Sequence, residues 1–167
     1  MTRIIIIPAI MVLIIISSAC RRDSSPFAYP YLNEDLITIQ RGIWGNVWYW
    51  EGNFSTPEDF GKITPVERDI HIFRRVHIDS MENKKEYPFF TYVDSEFLGS
   101  VRSDVNGFYQ IRLDSGDYSL FIYENSKYYA VEVNDSGFVQ SSRLNNSRDS
   151  IRMKTLNITT AATFSEF

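Results

Sequence analysis

The sequence predicts an all-β chain, an antiparallel β-sandwich of seven or eight strands. Three observations carry that prediction. Apolar and polar residues alternate at period two in several short runs, Asp/Asn/Ser/Gly clusters separate those runs, and no segment sustains a 3.6-residue period. The first strand, residues 42–50, is apolar on both faces: Ile43, Val47 and Tyr49 alternate with Trp44, Trp48 and Trp50. Residues 69–78 set Ile70, Ile72, Val76 and Ile78 against Asp69, His71, Arg75 and His77. Residues 95–103 give a third strand. Tyr109, Ile111 and Leu113 alternate with Gln110 and Arg112 in a fourth, and Tyr118, Leu120 and Ile122 form a fifth. Tyr129, Val131 and Val133 flank Glu132 in the next, and residues 138–144 and 151–163 close the series.

The connections carry turn chemistry: Asp104-Val105-Asn106-Gly107, Asp114-Ser115-Gly116-Asp117, Glu124-Asn125-Ser126 and Asn134-Asp135-Ser136-Gly137. Gly107 and Gly116 are expected at positive φ, which Gly reaches without a Cβ clash. One sandwich domain, residues 42–167, is therefore expected.

Composition narrows the function classes. An apolar content of 44% supports a folded core, and a formal charge of −4 gives no electrostatic drive toward nucleic acid. A single Cys excludes both a disulfide framework and a Cys-rich zinc module.

The first twenty residues read as an address. Arg3 precedes thirteen residues, 4–16, all apolar but Pro8, and then Ser17, Ser18, Ala19 and Cys20. A helix of that length spans about 20 Å, short of the roughly 30 Å hydrocarbon core. The arrangement resembles a bacterial lipobox. The resemblance implies that residues 1–19 are a lipoprotein signal peptide removed at Cys20, which carries a covalent lipid. An ordinary secretory signal with an incidental Cys is the alternative. Residues 20–41 are expected to be anchor and tether; the stretch 21–34, as a random coil, would reach roughly 20 Å.

Ser103-Asp104-Val105-Asn106-Gly107-Phe108-Tyr109, Leu113-Asp114-Ser115-Gly116-Asp117-Tyr118 and Gly45-Asn46-Val47 resemble the carboxypeptidase regulatory-like, transthyretin-type sandwich. With Trp50-Glu51-Gly52-Asn53-Phe54, residues 63–72 and residues 157–164, the chain is similar to small Bacteroidota lipoproteins bearing that domain. The resemblance spans about residues 42–164 and implies a non-catalytic lipoprotein of the cell envelope. It also implies the outer membrane as location, on its periplasmic or its surface face.

Few residues suggest catalysis. Along one strand His71 and His77 would stand roughly 20 Å apart, too far to share a metal. No G-x-S-x-G, phosphate loop, Cys nucleophile or calcium loop is present. Glu58-Asp59, or Asp94 with Glu96, would be the carboxylates of a glycosidase, against the simpler reading of solvated loop charges. No catalytic residue, metal or cofactor is therefore expected beyond the lipid on Cys20.

Trp44, Trp48 and Trp50 are the candidate binding face, because period two places all three on one side, where they would stack on sugar rings. The alternatives are burial under core or loop, or a protein partner. Asp79-Ser80-Met81 and Asp149-Ser150-Ile151 resemble the O-glycosylation pattern of exported Bacteroidota proteins, making Ser80 and Ser150 candidate sites. The expected function is a structural or partner-binding lipoprotein, bound to the membrane by its lipid and engaged with an outer-membrane complex. A carbohydrate-binding accessory of a glycan-uptake system is the alternative.

Overall fold

The computed structural model describes residues 32–55, 61–147 and 150–164. Their fold is an all-β sandwich of two sheets. Its eleven strands are β1 Gly42–Asn53, β2 Lys62–Pro65, β3 Asp69–Arg74, β4 Phe89–Phe90, β5 Phe97–Arg102, β6 Phe108–Ile111, β7 Gly116–Glu124, β8 Lys127–Tyr129, β9 Ser141–Leu144, β10 Ile151–Met153 and β11 Leu156–Thr163.

Strand β1 is the axis of the first sheet. Along one side run β6 and then β2, both antiparallel to it; along the other run β10 and then β11, both parallel. A parallel pair needs a long crossover, and here nearly the whole sandwich lies between its members. The second sheet runs β4-β8-β7-β3-β5 with β9 also on β7, antiparallel throughout.

The strand count exceeds the seven or eight expected for two reasons. Strands β2 and β4 are too short to show an alternation, and β2 ends in Pro65, a residue that suits an edge. The run 151–163 divides because the Lys154 carbonyl turns in over Gly45 to accept from the Tyr109 hydroxyl. A Cβ on Gly45 would lie 2.0 Å from that carbonyl oxygen, so only Gly admits the approach.

The main core lies between the sheets. Ile43 and Val47 meet Ile70, Ile72, Leu120, Ile122, Tyr129 and Leu156, and the alternating residues Tyr109, Tyr118 and Leu144 complete the packing. Tyr118 also donates its hydroxyl to the Asp114 carbonyl at 2.7 Å, satisfying the polar end of a buried ring.

The strand expected over 69–78 ends at Arg74. Beyond it the chain leaves the sheet, forms 3-10 turns at Ile78–Ser80 and Lys84–Glu86, and returns through β4. This excursion covers part of the outer face of the second sheet. Val76, Met81, Phe90 and Val93 close on Phe73, Phe121, Ala130 and Val139 as a second core.

Two turns are built alike. Asp104 Oδ1 accepts from the amides of Asn106 and Phe108, and Asn134 Oδ1 accepts from those of Ser136 and Phe138. In each, the Gly amide bonds back to the first residue's carbonyl at 2.8 Å. Gly107 has φ +73°, as its turn type requires, whereas Gly116 at +157° lies at the margin of extended backbone.

Candidate functional site

Trp44, Trp48 and Trp50 share the outer face of β1, as their spacing predicts. They form no open platform. Trp44 and Trp48 are each 6% exposed, so no sugar ring has access to their faces. Gln110, cross-strand neighbour of Trp44, explains part of this. Its side-chain oxygen accepts from the amides of Thr38 and Ile39 at 2.9 and 3.3 Å, and its amide donates to Thr38 Oγ1. Asn33 bonds to the Asn106 carbonyl, which also accepts from the buried Asn46. Residues 33–39 are thus docked on the first sheet, which corrects the expectation that the stretch up to residue 41 is free tether. Trp50 is half-buried; its indole N–H donates to Asn157 Oδ1 at 3.1 Å, and its ring meets Phe54 and Phe164.

The other sequence-selected positions are dispersed. Cys20 and the Glu58-Asp59 pair lie outside the described residues. Glu96 pairs with Arg74 at 3.2 Å on the exposed surface. Ser80 ends a 3-10 turn, half-buried beside the fully packed Met81. The Ser150 hydroxyl accepts from the Asn145 amide at 3.1 Å, and its carbonyl accepts from Gly42. Among the described residues, no three His, Cys, Asp or Glu side chains gather where they would hold a metal.

An aromatic patch emerges on the outer face of the second sheet, beside the second core. His71 stacks on Tyr123 with ring centres 4.2 Å apart and planes 16° from parallel. Phe97 and Tyr128 approach the same imidazole at 5.2 and 5.7 Å, and Tyr123 meets Tyr128 at 5.0 Å. Phe97, on the edge strand β5, is 52% exposed despite its size.

Charged pairs border this patch. Asp69, cross-strand neighbour of both Tyr123 and Arg102, bonds to the Arg102 guanidinium at 3.0 Å. Glu96 and Arg74 adjoin Phe97 and Phe73 in sequence, and Lys127 beside Tyr128 pairs with Glu86 at 2.8 Å. Arg68 approaches Glu124 at 3.1 Å in a geometry too bent for a hydrogen bond at Nε. Burial pulls the His71 pKa below its ordinary value, against the opposing effect of the Asp69 carboxylate. Burial, aided by Tyr123, raises the Tyr128 phenol.

Sequence reasoning passed over this patch because His71, Tyr123, Tyr128 and Phe97 come from four strands. The available signal was His71 and Phe73 on the nominally polar side of β3.

Fold and site together define an all-β sandwich with an aromatic outer surface. Comparison with known families, with curated proteins and with solved structures returned no match.

Proposed function

We propose that this chain is a non-catalytic lipoprotein of the outer membrane, anchored through lipid on Cys20, whose sandwich domain binds a protein partner. The observation that carries the binding role is the patch of His71, Phe97, Tyr123 and Tyr128 bordered by ion pairs. Protein interfaces characteristically combine an aromatic centre, whose burial supplies most of the energy, with a charged rim that sets orientation. The leader pattern ending at Cys20 supports the anchor. The kinship with carboxypeptidase regulatory-like lipoproteins belongs to the same proposal. It is supported by the sandwich, the twin Asx-Gly turns and the inward Tyr118.

Anchoring raises the domain's effective concentration at the bilayer, so modest affinity for a membrane-bound partner suffices. The test is affinity isolation from detergent-solubilised membranes. Wild type should retain a stoichiometric protein that is lost on Phe97→Asp, a change at an exposed edge position. Cys20→Ala should shift the chain to soluble fractions. A partner retained in full by Phe97→Asp would refute the patch, and continued membrane association of Cys20→Ala would refute the anchor.

A further inference from the structure

A second feature joins the two sheets at their open edge. A cleft of about 430 Å³ lies between β9 and β10, lined among others by Arg75, Asp117, Ser141, Arg143, Arg152 and Lys154. Strand β9 belongs to the second sheet and β10 to the first, so the cleft spans the seam of the sandwich.

Its charge runs against that of the protein. Among the described residues, Arg75, Arg143, Arg152 and Lys154 have only Asp117 and, through Lys154, Glu132 as ion-pair partners. Two positive charges are left over in a chain of formal charge −4. The internal neutralisation is also loose. Asp117 is shared between Arg75 and Arg143 at 3.6 Å each, beyond a good hydrogen bond. Arg152 forms no ion pair among the described residues; its Nε reaches the Arg143 carbonyl at 3.4 Å. By contrast Lys154 is tightly held by Glu132 at 2.6 Å.

One arginine is set in place before any ligand arrives. The Arg75 guanidinium lies 3.9 Å over the Phe138 ring, which orients it while leaving its edge donors available. Arg143 and Arg152 reach the cleft from opposite sheets. Guanidinium groups donate paired N–H bonds that match the oxygens of a phosphate, and a phosphate monoester carries close to two negative charges at neutral pH. That charge equals the surplus, whereas a carboxylate would neutralise half of it.

We propose that this cleft binds a phosphate monoester between Arg143 and Arg152, with Arg75 as third donor. The ligand ties β9 to β10 and so stabilises the sandwich across its seam. Two sources offer this chemistry, a soluble phosphate compound and a lipid headgroup.

The test measures thermal unfolding of the full chain, purified from membranes in neutral detergent, at constant ionic strength set with chloride. Glycerol 3-phosphate is the soluble probe, and phosphatidic acid added to phosphatidylcholine-containing micelles is the lipid probe. A ligand that binds only the folded state raises Tm in proportion to the logarithm of its concentration over Kd. A rise with glycerol 3-phosphate supports the site with a soluble ligand. A rise with phosphatidic acid alone supports it with a headgroup. In either case R143A/R152A should weaken binding at least about tenfold, since each charged hydrogen bond is worth roughly that factor. Asp117→Asn removes the competing carboxylate and should tighten binding, a gain that damage to the fold would not produce. Lys62→Ala, on β2 at the opposite side of the first sheet from β10, should bind as wild type. No rise with either probe, or equal binding by R143A/R152A, overturns the proposal.

Discussion

Replacing Gly107 with Ala should be among the most damaging single-methyl changes in this protein. The residue has φ +73°, a conformation that costs an L-residue roughly 1–2 kcal/mol. The added Cβ would also lie 2.5 Å from the Val47 carbonyl oxygen, in the middle of the central strand β1. That carbonyl already accepts from the Val66 amide at 3.2 Å, and the Val47 amide donates to the Gly107 carbonyl at 2.8 Å. Relief requires the turn to withdraw from β1. Withdrawal breaks the Val47–Gly107 bond and strands a buried donor, at about 1–3 kcal/mol. The combined loss is about 2–5 kcal/mol, a large share of the roughly 5–15 kcal/mol typical of a domain. Gly99 supplies the control. Its φ is +144°, but a Cβ there would meet nothing within 4 Å, so Gly99→Ala carries backbone strain alone. Urea unfolding, followed by the fluorescence of the buried Trp44 and Trp48, should therefore place Gly107→Ala below Gly99→Ala by about 2 kcal/mol. Gly107→Asn separates the two causes, because Asn tolerates left-handed backbone yet keeps the Cβ. It should remain destabilised by about 2 kcal/mol. Near-wild-type stability of Gly107→Asn, or equal losses at Gly107 and Gly99, would refute the steric argument.

Trp48→Ala should cost about 3–5 kcal/mol in the same assay while leaving the Phe97-dependent partner interaction intact at permissive temperature, since Trp48 packs inside the fold. Ser126 sits at φ +60° beside Asn125 at +52° in the two-residue β7–β8 hairpin. Ser126→Gly should relieve that strain and raise Tm by about 2–4 °C for roughly 1 kcal/mol gained; a lowered Tm would contradict it. The depressed His71 pKa means that the unfolded chain binds this proton more readily than the folded one. Stability from this group is complete above the unfolded value near 6.5 and falls as pH drops from there toward the lower folded value. His71→Phe should flatten that part of a stability-versus-pH curve; an unchanged slope would assign it to other groups.

Local information was enough for the β content and for the position of most strands along the chain. Period-two alternation put Ile70 with Ile72, and Tyr118 with Leu120 and Ile122, on shared strand faces, which the structure packs into the main core, because a strand places alternate residues on one face whatever it packs against. The Asp104 and Asn134 turns were equally legible, since their side-chain bonds reach residues only two and four positions on. Non-local contacts decided the rest. Alternation showed that both faces of β1 are apolar, but the docking of residues 33–39 through Gln110 and Asn106 joins positions some seventy residues apart. The break at Lys154 likewise depends on a glycine and a tyrosine far away in sequence. Phe97, Tyr123 and Tyr128 become one surface with His71 only when β5, β3, β7 and β8 align, and Arg143 meets Arg152 only across the seam between sheets. Which residues alternate and where the chain turns were legible in the sequence, because those depend on neighbours along the backbone. Which apolar face is covered and which charges converge emerge only in the folded chain, because burial and charge density depend on segments brought together from a distance.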